Sequence, residues 1–224
     1  VFYIIKENRT YDQVLGDMPE GNGDRNLVLF GENITPNHHA IAREFVLLDN
    51  FYVDGEVSAD GHNWTMGAYA TDYLEKNWPT SYGSRGGSYP GEGAREVANN
   101  KLFFWDQCKR NGVSYRTYGE FVGDNGPSLK VLEDNYCKSF TPWVQSVRDT
   151  VRFRQWKHDF DSLLAINSVP GFNSIRFIND HTEGLSLNKP TPFAHVADND
   201  LAVGMFLDYL SHSQIWKESL VIFV

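Results

Sequence analysis

The chain opens on an unbroken apolar run, Val1 to Ile5 (VFYII), which stops abruptly at Lys6, Glu7, Asn8, Arg9 and Thr10. A short continuous apolar run bounded by polar residues is the pattern of a strand buried on both faces. That restricts the fold to one in which layers cover both sides of a sheet. A carboxylate, a carboxamide and a guanidinium then occupy consecutive positions at the strand's carboxyl end, the edge where open α/β sheets bind ligands. Alone, this strand end reads more simply as a solvated loop with a helix cap. A functional reading requires other strand ends to converge on the same edge.

Further along, Val46 to Tyr52 reads as a second buried strand running into DGEVSADGHNW, which holds Asp54, Glu56, Ser58, Asp60 and His62. Val113 to Tyr118 is a third strand, ending at Gly119 and Glu120. Phe172 to Ile178 is a fourth, followed by Asn179, Asp180 and His181, and Leu220 to Val224 is a fifth. Helical patterns lie between them: from Pro36, from about Asn63 to Leu74, over 100–111 with Gly112 as its stop, over 147–166, and from Asp198 or Asn199 to about Ser211. Lys76 to Asn100, dense in Gly, Ser, Tyr and Pro, reads as a long ordered loop over a site, with a disordered excursion as the alternative. Strands alternating with helices predict an α/β domain, a three-layer α/β/α sandwich with a mostly parallel sheet. Polar clusters at three strand ends (Glu7-Asn8, Glu56 to His62, Asn179 to His181) are more than scattered placement would give.

The 224 residues suffice for one sizeable core and are read as a single domain, 1–224. A net charge of −9 argues against nucleic acid or an anionic membrane surface as the main partner, though a bound cation would still admit an anionic substrate. No apolar run approaches membrane-spanning length, and no signal peptide is present. Cys108 and Cys137 fit one disulfide or two buried thiols equally well. The chain starts and stops inside strand-like sequence, which reads as a piece of a longer protein.

Ser58 precedes a helix, where backbone N–H groups and the helix dipole favour an anion. A serine hydroxyl is a weak nucleophile until a base or a metal lowers its pKa. Glu7 offers a hard oxygen for a divalent cation, and Asn8 a neutral oxygen for a metal or an N–H for a phosphoryl oxygen. His62 could bond a substrate oxygen or protonate a leaving group. Equally, Ser58 reads as a helix cap and His62 as a hydrogen-bonded histidine under Trp64. No GxSxG or HExxH is present, and Gly83 to Gly93 matches neither a dinucleotide nor a Walker pattern. The glycosylation sequons at Asn8, Asn33 and Asn63 are taken as chance matches.

At these residues the sequence resembles the phosphoesterase family of bacterial phospholipases C and an acid phosphatase, within the alkaline-phosphatase-like superfamily. KENRTYDQ is similar to that family's opening motif, and TPNHHAIA to the superfamily's TPN-plus-helix segment. SADGHNW follows the spacing of the nucleophile segment; NDHTEG, VADNDLAVG and SHSQIWKESLVIFV resemble later blocks in family order. The resemblance implies a metal-dependent hydrolase of phosphate esters acting through a phosphoserine. Glu7 and Ser58 would be metal ligands and Asn8 a metal or phosphate ligand, with Ser58 also the nucleophile, His62 near substrate, and Asp180 and His181 site lining or leaving-group residues. It further implies a divalent cation (zinc, calcium or manganese), a small phosphate ester or phospholipid headgroup as substrate, and a periplasmic or secreted location. In that family an aspartate pair follows the strand matching Leu220–Val224, so residues 1–224 alone are expected to be inactive without the remainder of the domain. A different class, a non-catalytic surface or assembly protein retaining the fold, would use the aromatic Gly/Ser/Tyr loop as an interaction surface.

Overall fold

The computed structural model describes residues 1–6, 8–87 and 91–224. In chain order it contains strand β1 (Phe2–Ile5), helices α1 (Tyr11–Leu15), α2 (Pro36–Glu44), α3 (Ser58–Gly67), α4 (Asp72–Tyr82) and α5 (Phe104–Arg110), then strands β2 (Tyr115–Tyr118), β3 (Val122–Gly123) and β4 (Gly126–Pro127). Helix α6 (Asp149–Ala165), strand β5 (Phe172–Arg176), helix α7 (Pro192–Ser211) and strand β6 (Val221–Phe223) follow. The protein is α/β, with a mostly parallel four-stranded sheet in the order β2-β5-β1-β6 flanked by helices; β1 and β6 pair in parallel. The contacts divide the chain into two compact units, the first made of 1–51, 139–169 and 175–224, the second of 52–138 and 170–174.

In the first unit, β1 is buried as its apolar run requires: Ile4 is wholly enclosed and Phe2 and Ile5 nearly so. Phe2 sits edge-on to Trp156, Phe160 and Phe206 at 6.0–6.4 Å between ring centres. Trp156 from α6 stacks on Phe160 at 4.8 Å and meets Phe206 from α7 at 4.4 Å. Such aromatic pairs are each worth about 0.5–1.5 kcal/mol beyond the area they bury, so this cluster fixes α6 and α7 against β1.

Helix α7 begins at Pro192, with Thr191 as its cap, rather than at Asp198 or Asn199. Those residues lie inside the helix because they serve its neighbours. The Asp198 carboxylate accepts hydrogen bonds from the backbone N–H groups of Asp149 (2.7 Å) and Thr150 (3.4 Å), which open α6. Asp200 does the same for α2, accepting from the N–H groups of Asn37 (3.1 Å) and His38 (2.8 Å). Neither α2 nor α6 has a side-chain cap at its own N-cap position. One helix thus supplies the carboxylates that satisfy the orphan donors, and complement the dipoles, of two others.

Val46 to Tyr52 does not form the expected strand. It is irregular, with Val46 81% exposed and Leu48 and Phe51 more than half exposed. Apolar content alone does not make a strand, since pairing partners decide. The other four expected strands form within their segments, each shortened by one or more residues, while the short antiparallel pair β3–β4 lies outside them.

In the second unit, the expected helix over 63–74 is two helices. α3 already begins at Ser58 and ends at Gly67, stopped by Ala68, whose backbone is left-handed (φ 62°). α4 then starts at Asp72, capped by the Thr71 hydroxyl accepting from Leu74 N–H at 3.2 Å. The helix continues through Lys76 to Tyr82, so the glycine-rich stretch is irregular only from Gly83 onward; residues 88–90 lie outside the described residues. Ala59, Leu74 and Ala98 form a small core here. Phe121 packs edge-on to Phe103 (5.0 Å) and Trp105 (5.5 Å). Cys108 and Cys137 are both buried and both free thiols.

Candidate active site

Ser58 is the first residue of α3 and is half-buried. The cap position belongs to Val57, extended at φ −135°, so Ser58 is not the helix cap that its sequence context allowed. The Val57 carbonyl accepts from Asp60 N–H and Gly61 N–H, both at 3.0 Å, closing the first turn. The chain reaches this turn by folding close over it. A Cβ on Gly55 would lie 2.7 Å from Gly61 N and 2.8 Å from Asp60 Cβ, so only glycine fits.

His62 follows Ser58 by one helical turn, and residues four apart lie on one helix face. Only 4% exposed, its ring is hydrogen-bonded and paired with acids. Nδ1 is 2.7 Å from Glu120 Oε1, and Nε2 is 3.6 Å from Glu92 Oε1. Glu120 is wholly buried in the turn that follows β2. That turn is bent by left-handed residues on both sides of Glu120, Gly119 (φ 92°) and Phe121 (φ 53°). A left-handed phenylalanine is strained, and the strain is sustained by the packing of its ring and by two hydrogen bonds. The Thr117 hydroxyl donates to the Glu120 carbonyl at 2.8 Å, and Ser128 N–H donates to the Phe121 carbonyl at 2.9 Å. Sequence reasoning did not assign Glu120 or Glu92 to the site. A Gly-Glu pair closing a strand was the only local signal for Glu120.

Asp60, in the first turn of α3, is 2% exposed, and its Oδ1 has no hydrogen-bond partner among the described residues. Burial, with smaller contributions from the charges of Glu75 and Glu56, pushes its carboxyl pKa up to about 6. The folded protein therefore holds the proton more tightly than the unfolded chain does. Stability from this group is complete below the unfolded value near 4 and is lost as pH rises through about 6. The loss is on the order of 3 kcal/mol. Denaturant titrations between pH 4 and 7.5 are expected to show this decline in the wild type and to show it abolished in Asp60→Asn; an equal decline in both would remove Asp60 as its source.

In the first unit, the polar ends of β1 and β5 do meet. Lys6 Nζ forms an ion pair with the buried Asp180 carboxylate at 2.9 Å and donates to Asn199 Oδ1. Arg9 Nε donates to the Asp180 carbonyl at 2.8 Å and its Nη2 to the His181 carbonyl at 3.0 Å, while its guanidinium lies over the Phe30 ring. Asn8 between them is exposed and left-handed (φ 48°), a conformation asparagine tolerates better than most residues. Asp180 thus binds the two loops together, and His181 is turned toward Gln145 Nε2 (3.0 Å) and the edge of Trp143 (4.9 Å between ring centres). Near the same strand end, His38 Nδ1 lies 2.5 Å from Asp200 Oδ1; burial and the Lys6 charge lower its pKa despite that carboxylate.

Glu7 lies outside the described residues. Among the described residues no group of three or more His, Cys, Asp or Glu side chains is arranged to hold a metal ion. A scan of the chain against protein-family models found no match, and a search of curated proteins found none.

Proposed function

We propose that the protein hydrolyses phosphate esters through a phosphoserine formed on Ser58, with His62 as the group that moves the leaving-group proton. The observation that carries this reading is the buried His62–Glu120 pair, 2.7 Å between Nδ1 and Oε1, set one helical turn from a serine at a helix start. The helix N-terminus favours the phosphoryl oxygens of a bound monoester or diester. Ser58 Oγ attacks phosphorus and loses its proton to solvent, the phosphorus–oxygen bond to the leaving group breaks, and that oxygen takes the proton from His62 Nε2. Water then attacks the phosphoserine, returns a proton to Nε2, and releases phosphate as Ser58 Oγ is reprotonated. The motif resemblance supports phosphate esters over carboxylic esters.

The divalent cation and the exported location implied by the resemblance belong to this proposal, as do a small phosphate ester or phospholipid headgroup as substrate and the need for the rest of the domain. When bound, such a cation would lower the pKa of the serine hydroxyl. The reading is tested with p-nitrophenyl phosphate and bis-p-nitrophenyl phosphate, using the full-length protein with zinc, calcium or manganese supplied in turn. Turnover of at least one ester is expected; turnover of neither with any of the three ions contradicts the proposal.

A further inference from the structure

We infer that Glu120 is a positioning residue that fixes the tautomer of His62, keeping the proton on Nδ1 so that Nε2 is the nitrogen that gains and loses one. The consequence for catalysis rests on the proposed phosphoryl transfer; the tautomer itself does not. A carboxylate accepts hydrogen bonds and donates none, so the imidazole nitrogen 2.7 Å from Glu120 Oε1 must present its N–H. Nε2 faces Glu92 at 3.6 Å, an ion-pair separation beyond hydrogen-bond length.

The backbone supports the same assignment. Glu120 is wholly enclosed, in a turn whose next residue, Phe121, is held left-handed at φ 53°. Strain of this kind persists only where the surroundings over-determine it, and here Phe103, Trp105, Thr117 and Ser128 all contact the turn. A turn bent in this way to bring a carboxylate onto a ring nitrogen has the geometry of an orienting group. In a serine–histidine site, the carboxylate behind the ring sets which nitrogen faces the chemistry, and a carboxamide in its place can turn its N–H toward the ring and reverse the tautomer.

Two measurements test this. First, the full-length wild-type protein is labelled with ¹⁵N in its histidine rings, and the His62 signals are identified by their loss in His62→Ala. Nitrogen shifts separate protonated from bare ring nitrogens. Nδ1 is expected to keep its proton throughout pH 5–9; a bare Nδ1 at any pH in that range overturns the inference, whatever the protein hydrolyses. Second, kcat/KM is compared for phenyl phosphate, whose leaving group needs a proton, and p-nitrophenyl phosphate, whose leaving group does not. Glu120→Gln is expected to lose about 100-fold on the first and less than about 10-fold on the second. Equal losses on both esters would make Glu120 a structural residue only. If the wild type hydrolyses neither these monoesters nor bis-p-nitrophenyl phosphate, the proposed function fails while the nitrogen measurement still decides the tautomer.

Discussion

Replacing Ser58 by alanine is expected to lower kcat/KM for p-nitrophenyl phosphate by at least about 1000-fold in the full-length protein, because removing the nucleophile of a covalent mechanism leaves only binding and electrostatic stabilisation. The same change is expected to shift stability by less than about 1 kcal/mol. Ser58 is half-buried, and the N-cap position is filled by the Val57 backbone, so the start of α3 does not depend on the serine hydroxyl as its cap. Loss of activity with an unchanged melting temperature is therefore the signature of a chemical role. Retention of wild-type turnover would remove Ser58 as nucleophile.

The largest effect on stability is expected from Asp149→Ala, in the first unit. Asp149 and Arg152 are both wholly buried and paired at 3.0 Å. The carboxylate also accepts from the backbone N–H groups of Ile178 (3.1 Å) and Asn179 (2.7 Å) and from Asn199 Nδ2 (2.8 Å). Arg152 spends its remaining donors on the carbonyls of Thr141, Pro142, Val144 and Val147. Asn199 in turn receives Lys6, so a single polar spine runs from the end of β1 to the loop before α6. Burial, with a smaller contribution from the Arg176 charge, lowers the guanidinium's pKa, and Asp149 is the main group opposing that. Truncating Asp149 strands a buried cation and backbone donors at once, which costs about 3–5 kcal/mol. In a chain of this length that corresponds to a fall in melting temperature of roughly 6–20 °C, measurable by calorimetry. A fall of less than about 2 °C would show that the spine is not held by this carboxylate.

Where the sequence was legible, it was through local chemistry. The VFYII run and the FNSIR segment became buried strands, Pro36 marked the start of α2, and the polar clusters after β1 and β5 came together through Lys6, Arg9 and Asp180. The Thr191-Pro192 signal for α7 was equally local, a hydroxyl cap followed by proline in the first turn, but Asp198 and Asn199 competed with it. Their partners lie in other segments: Asp198 at the start of α6, and Asn199 on Lys6 and Asp149. Tertiary pairing of this kind leaves no trace in a window of neighbours. Glu120 was hidden for the same reason, since it meets His62 across 58 positions, in a turn set by the strained Phe121. Val46 to Tyr52 failed in the opposite direction, an apolar run whose composition suits a strand but whose backbone finds no sheet partner among the described residues.

Rapid acid quenching during turnover of p-nitrophenyl phosphate would trap a covalent phosphoserine on Ser58. Peptide mass spectrometry of the quenched full-length protein is expected to find one added phosphoryl group on the peptide carrying Ser58, absent without substrate and absent in Ser58→Ala. Turnover at the wild-type rate with phosphate attached to a different residue would contradict it.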